Sequence, residues 1–194
     1  MKTNIILAGV GGQGILTIAA VLDTAALDCN LNIKQSEVHG MSQRGGAVQS
    51  HVRISDKEIF SDLIPQGKAD MIISVEPMES LRYLPFLKKN GYLITDSNPF
   101  NNITDYPELN ELYEEINSHP NCILIDGKKI AKDLGNSKAT NIVLLGAASN
   151  LLPFSDESLQ NAIKTLFERK GERIVNKNIQ AFLKGKKITT EIVS

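Results

Sequence analysis

A chain of 194 residues, 42% of them hydrophobic, is long enough to fill one core and predicts one domain over residues 1–194 rather than two. Its 21 basic and 22 acidic side chains nearly cancel, which excludes a global field that would gather nucleic acid or an anionic membrane, so a partner must be recognised locally. Cys29 and Cys122 are the only cysteines and lack CxxC spacing; this excludes a four-cysteine iron–sulfur cluster on this chain alone and predicts reduced, structural thiols in a cytoplasmic protein.

The opening run MKTNIILAGVGGQG is interrupted at Gly9, Gly11 and Gly12 before it reaches signal-peptide length. NIILAG reads as a strand, and Ile15, Ile18, Ala19, Leu22 and Ala26 recur at helical spacing, which predicts a helix over about 13–27. Between them lies GVGGQG, a G-x-G-x-x-G in the strand–turn–helix context that raises this pattern above chance. There Gly9 allows the tight turn, Gly11 the approach of a ligand to the backbone, and Gly14 close helix–strand packing; Gly12 completes the run. A helix start leaves free N–H groups and roughly half a positive charge, which suits a phosphate.

LNIKQ is a short second strand. An NAD site wants Asp or Glu at its end, but the sequence reads Lys34, Gln35, Ser36, with Glu37 a displaced substitute; this weakens NAD and leaves room for NADP or coenzyme A. HGMSQRGG, residues 39–46, follows as a polar, glycine-hinged loop. In AVQSHVRI, residues 48, 50, 52 and 54 alternate with Gln49, His51 and Arg53, predicting a half-exposed strand whose polar face is either solvated or an interface with a partner chain. A turn at SDKE then leads to a short partner strand around EIFS, giving an antiparallel hairpin beside the main sheet.

ADMIISVE lacks alternation, as a central strand covered on both faces does, and Pro77 opens a helix through residue 87. GYLITDS and NCILID are further strands, with helices at about 109–118 and 128–134. The remainder reads as helical: an apolar NIVLLGAASNLL for the core or a subunit contact, a helix capped by Ser155, and a last helix over about 173–183. The longest uncharged stretch, ATNIVLLGAASNLLPF, is shorter than the ~20 apolar residues of a membrane span. Together these predict an α/β fold: a Rossmann-like, mostly parallel sheet with helices on both faces, a β-hairpin insertion and a helical C-terminal part.

Polar residues recur where strands end, at Glu76, Asp96, Asn98 and Asp126, where the ligand crevice of such a sheet lies; each can equally cap a turn or a helix. No catalytic residue is singled out, because there is no G-x-S-x-G, and His39, His51 and His119 show no metal-ligand spacing.

GVGGQGILT, KQSEVHGMSQRGGAVQSHVR, LIPQGKADMIISVEPMESLRYLPFL and TNIVLLGA together resemble the indolepyruvate branch of the 2-oxoacid:ferredoxin oxidoreductase family, at its small beta, or gamma-type, subunit. The resemblance implies oxidative decarboxylation of an aryl 2-oxoacid onto coenzyme A with electrons passed to ferredoxin. It also implies that thiamine diphosphate with magnesium and the iron–sulfur clusters sit on a large alpha partner. The loop residues His39, Ser42, Gln43, Arg44, Gly45 and Gly46 are then expected to face that partner's active centre or the entering coenzyme A, with Arg44 as a phosphate or carboxylate fork. The alternatives are a self-sufficient NAD(P)-dependent oxidoreductase, which the glycine turn alone supports, and a non-catalytic scaffold subunit.

Overall fold

The computed structural model describes residues 1–39, 46–101 and 103–193. Strand β1 (Lys2–Val10) is buried from residue 4 onward, and its alternation sends Ile5 and Leu7 into one core and Ile6 into another. The first core is closed by α1 (Ile15–Asp28), α4 (Gly127–Asp133), α5 (Thr140–Ala148), α6 (Asp156–Phe167) and α7 (Glu172–Val193). The second lies under α2 (Pro77–Arg82) and α3 (Leu109–Asn117), with Leu112 and Ile116 facing Ile72 and Leu93. Helices on both faces therefore follow from strands that are apolar on both sides.

With β2 (Asn32–His39), β3 (Ala47–Ser55), β4 (Ala69–Ser74), β5 (Leu87–Asp96) and β6 (Cys122–Ile125), the sheet order is β2-β3-β1-β4-β5-β6. The pairings β1–β4, β4–β5 and β5–β6 are parallel, whereas β3 runs antiparallel to both its neighbours. The α/β, mostly parallel expectation is borne out.

Four local readings are corrected. The hairpin partner of β3 is β2, with Asn32 opposite Ser55 and His39 opposite Val48; residues 56–68 carry no strand. A period of two tells which side chains share a face, not which strand lies alongside. Nor is β3 half-exposed. It lies between β2 and β1, and the segment 56–68 covers its polar face, leaving His51 3% and Arg53 7% exposed while Gln49 stays half-buried.

The Arg53 guanidinium ties that segment to β1: Nη1 donates to the carbonyls of Ser61 at 2.7 Å and Leu63 at 2.9 Å, and Nε to Asn4 Oδ1 at 3.1 Å. His51 Nδ1 accepts the Ile64 N–H at 3.0 Å, and its ring meets the edge of Phe86. Both side chains are thus bonded to the backbone and to Asn4 within the fold.

The helix opened by Pro77 ends at Arg82 rather than 87, because Pro85 cannot continue it and leaves one 3-10 turn, Leu84–Phe86. Conversely α7 runs ten residues past 183, through Gly185. That glycine weakens the helical pattern in the sequence but is required by packing, since a Cβ there would lie 1.9 Å from the Val143 carbonyl oxygen of α5. No described helix is long and apolar enough to cross a membrane.

Candidate functional site

The glycine turn sits at the C-terminal end of β1, where a parallel sheet opens its ligand crevice. Gln13 shapes it: its N–H donates to the Val10 carbonyl at 3.1 Å, and its Oε1 accepts the Val10 N–H at 2.7 Å. Gly9 serves the packing beneath, as a Cβ would fall 2.4 Å from Val75 Cγ2. The Gly11 N–H is occupied by the Gly46 carbonyl at 2.9 Å. Gly12, at φ +100°, faces open space, and Gly14 is the left-handed N-cap of α1, packed on Asn141.

Asn141 is a member of this site that sequence reading missed. It is 4% exposed at the start of α5; its Nδ2 donates to the Gly14 carbonyl at 2.9 Å and its Oδ1 accepts the Ile142 N–H at 3.0 Å. The turn is thereby clamped to the C-terminal helices.

Gly12, Gln13, Gly14 and Thr17 line one side of a cleft of about 710 Å³, within the size of small-molecule sites. The ends of β4 and β5 add Val75 and Asp96, followed by Asn98 and Phe100. Lys128 of α4, Lys138 before α5 and Lys170 before α7 complete it, with Ser137 and Thr140 between them. The three lysines come from separate elements with no periodicity to mark them, so only the fold brings them together. With two helix starts, a glycine turn and three ammonium groups against one lining carboxylate, Asp96, the cleft suits a polyanion.

The strand-end carboxylates divide. Asp96 Oδ1 accepts the Gly127 N–H at 2.9 Å and Asn98 Nδ2 at 3.1 Å; burial pushes its carboxyl above the usual range, against the pull of these donors. Asn98 also donates to Asp126 Oδ1 at 2.8 Å, which holds that carboxyl below the usual range while it caps α4. Glu76 is fully buried and caps α2. It belongs to the frame of the cleft rather than its lining.

Of the polar loop, the His39 backbone ends β2 opposite Val48, and Gly46 adjoins β3. Ser42, Gln43, Arg44 and Gly45 lie outside the described residues. The Gly11–Gly46 hydrogen bond nonetheless places the base of the loop against the glycine turn. Among the described residues no group of three or more His, Cys, Asp or Glu stands close enough to hold a metal ion. Cys29 is exposed; Cys122 is partly buried, and burial pushes its thiol up to about 11.

Residues 4–188 match the pyruvate ferredoxin/flavodoxin oxidoreductase family. The chain belongs to that family. Two relatives, each named indolepyruvate oxidoreductase subunit IorB, are similar to it almost end to end. The one from Pyrococcus horikoshii is 38% identical, covering 98% of this chain and 98% of the relative. The one from Thermococcus kodakarensis is 37% identical, covering 98% and 97%. Among solved structures, the 2-oxoglutarate:ferredoxin oxidoreductase of Magnetococcus marinus, described with 2-oxoglutarate, coenzyme A and succinyl-CoA bound, shares the fold with a TM-score of 0.78 at 21% identity. It aligns over 98% of this chain and 31% of that longer one. The chain is accordingly a small subunit of a multi-subunit oxidoreductase, as the resemblance of its motifs implies.

The strand order also departs from dinucleotide folds. There the strand carrying the ribose-binding acid flanks the first strand. Here β3 is inserted, and β2 with Glu37 stands at the sheet edge. The topology thus gives no support to the self-sufficient NAD(P) alternative.

Proposed function

We propose that this chain, as a single gamma-type domain over residues 1–194, is the small subunit of an indolepyruvate-type 2-oxoacid:ferredoxin oxidoreductase. The observation that carries the substrate assignment is the 37–38% identity, over nearly the full length, to two subunits named for indolepyruvate. In this reading an aryl 2-oxoacid loses carbon dioxide, its acyl group passes to the sulfur of coenzyme A, and two electrons leave for ferredoxin in the cytoplasm.

The thiamine diphosphate, its magnesium and the iron–sulfur clusters belong to a large alpha partner; two cysteines on this chain are too few for a cluster. This chain's part is to hold coenzyme A. Gly12 opens the backbone towards the cleft, and Lys128, Lys138 and Lys170 supply the charge that the phosphates require. The loop residues His39, Ser42, Gln43, Arg44, Gly45 and Gly46 serve the partner's active centre or the entering coenzyme A, with Arg44 as the fork on a phosphate or carboxylate. The hydrogen bond between Gly11 and Gly46, the last residue of this run, supports that role.

The experiment is steady-state kinetics of the chain co-purified with its large subunit. Lys138→Gln and Lys170→Gln are expected to raise the KM for coenzyme A and leave that for indolepyruvate unchanged. Wild-type coenzyme A kinetics in both variants would remove the cleft from this account.

A further inference from the structure

Phe100 lines the cleft with its side chain 43% exposed, beside a set of cations that suit a phosphorylated ligand. It stands on residues 97–108, whose described members form neither helix nor strand. That wall is tied down all the same. Tyr113 donates its hydroxyl to the Ser97 carbonyl at 2.5 Å, and Asn98 bridges Asp96 and Asp126. The Phe100 N–H donates to Glu76 Oε1 at 3.3 Å, and the Tyr106 hydroxyl donates to the same oxygen.

Glu76 is 0% exposed, and its Oε2 accepts the Glu79 N–H at 2.7 Å. A carboxylate so buried is costly unless its lone pairs are filled. Here they are filled by the first turn of α2 on one side and the cleft wall on the other. The result is an aromatic ring left open to the cleft on a backbone fixed from behind. Nucleobases stack on such faces whatever their identity, and phosphates beside the base find the lysines.

We propose that Phe100 is the stacking platform for the purine ring of the cleft's ligand, and that Glu76 is the positioning residue that holds the platform in place. The inference rests on the reading of the cleft as a coenzyme A site, and it assigns the adenine end of that molecule to this wall.

The test is calorimetry on the chain co-purified with its large subunit, using two fragments: adenosine 3′,5′-bisphosphate, which has the base, and 4′-phosphopantetheine, which lacks it. Phe100→Ala is expected to weaken the bisphosphate by about tenfold or more, the order that base stacking contributes, and to leave phosphopantetheine unchanged. Phe100→Trp is expected to restore it. Glu76→Gln and Tyr106→Phe are expected to produce the same selective loss in smaller degree in complexes whose circular dichroism matches wild type. A purely structural role would weaken both fragments alike, and that result overturns the proposal. So does bisphosphate binding that Phe100→Ala does not alter, or a Phe100→Ala chain that loses its large subunit instead. If the wild-type complex binds neither fragment and the lysine variants keep normal coenzyme A kinetics, the cleft reading itself fails and takes this proposal with it.

Discussion

The backbone N–H of Gly11 donates to the carbonyl oxygen of Gly46 at 2.9 Å, and beside it Val10 pairs with Ala47. The glycine turn is therefore bonded directly to the residue that leads into β3. Residues 11 and 46 are thus adjacent in space, although distant in sequence. Arg44→Ala is expected to raise the coenzyme A KM and lower turnover of the assembled complex, about tenfold or more, as loss of a charge-assisted hydrogen bond does. Kinetics equal to wild type would take the loop out of the mechanism.

Asn141 joins α5 to the glycine turn through one part-buried bond to the Gly14 carbonyl. Asn141→Ala removes that bond while the carbonyl keeps the Thr17 N–H at 3.0 Å, so stability should fall by about 0.5–1.5 kcal/mol. Thermal melting followed by circular dichroism reads this as a drop of about 2–4 °C for each kcal/mol lost. A melting temperature unchanged from wild type would mean that the clamp contributes nothing.

Arg53 holds segment 56–68 by the Ser61 and Leu63 carbonyls and is itself anchored on Asn4 of β1. Lysine keeps the charge but not the planar fork, so Arg53→Lys should lose about 1–3 kcal/mol. The loss has a place: amide hydrogen exchange should accelerate in peptides covering 56–68 and stay near wild type around the cleft. Uniform acceleration across the chain would contradict a local role.

His51 makes stability depend on pH. Its Nδ1 accepts the Ile64 N–H and so must be unprotonated, and burial holds the imidazole below its ordinary 6.5. With the folded pKa depressed, the unfolded chain takes up the proton first. The contribution is therefore full above pH 6.5 and is lost as pH falls from there through the folded value. His51→Asn, whose side-chain oxygen can accept the same N–H, should flatten this part of the profile. A chemical-denaturation series that keeps the full wild-type slope in the variant would assign the slope to another group.

Much of this organisation was legible in the residues, for physical reasons. Spacing 9–14 between an apolar run and a 3.6-residue period marks a strand–turn–helix, and β4 and α5 announce their burial by being apolar all round. The partner of β3 was not legible, because alternation specifies faces and not neighbours. The burial of His51 and Arg53 depends on a segment without secondary structure folding over them, which no periodicity records. Lys128, Lys138 and Lys170 look like ordinary surface lysines until the ends of α4 and α6 meet the glycine turn. The family was legible in SEVHGMSQRGG, a run whose glycines and charges no strand or helix requires.

The central claim is that this chain completes an indolepyruvate oxidoreductase rather than acting alone. The measurement that tests it most directly is anaerobic, coenzyme A-dependent viologen reduction with indolepyruvate, comparing this chain, the large subunit, and the two co-expressed. The account predicts activity only in the co-expressed sample. An inactive pair, together with a nicotinamide cofactor binding tightly to this chain alone, would contradict it.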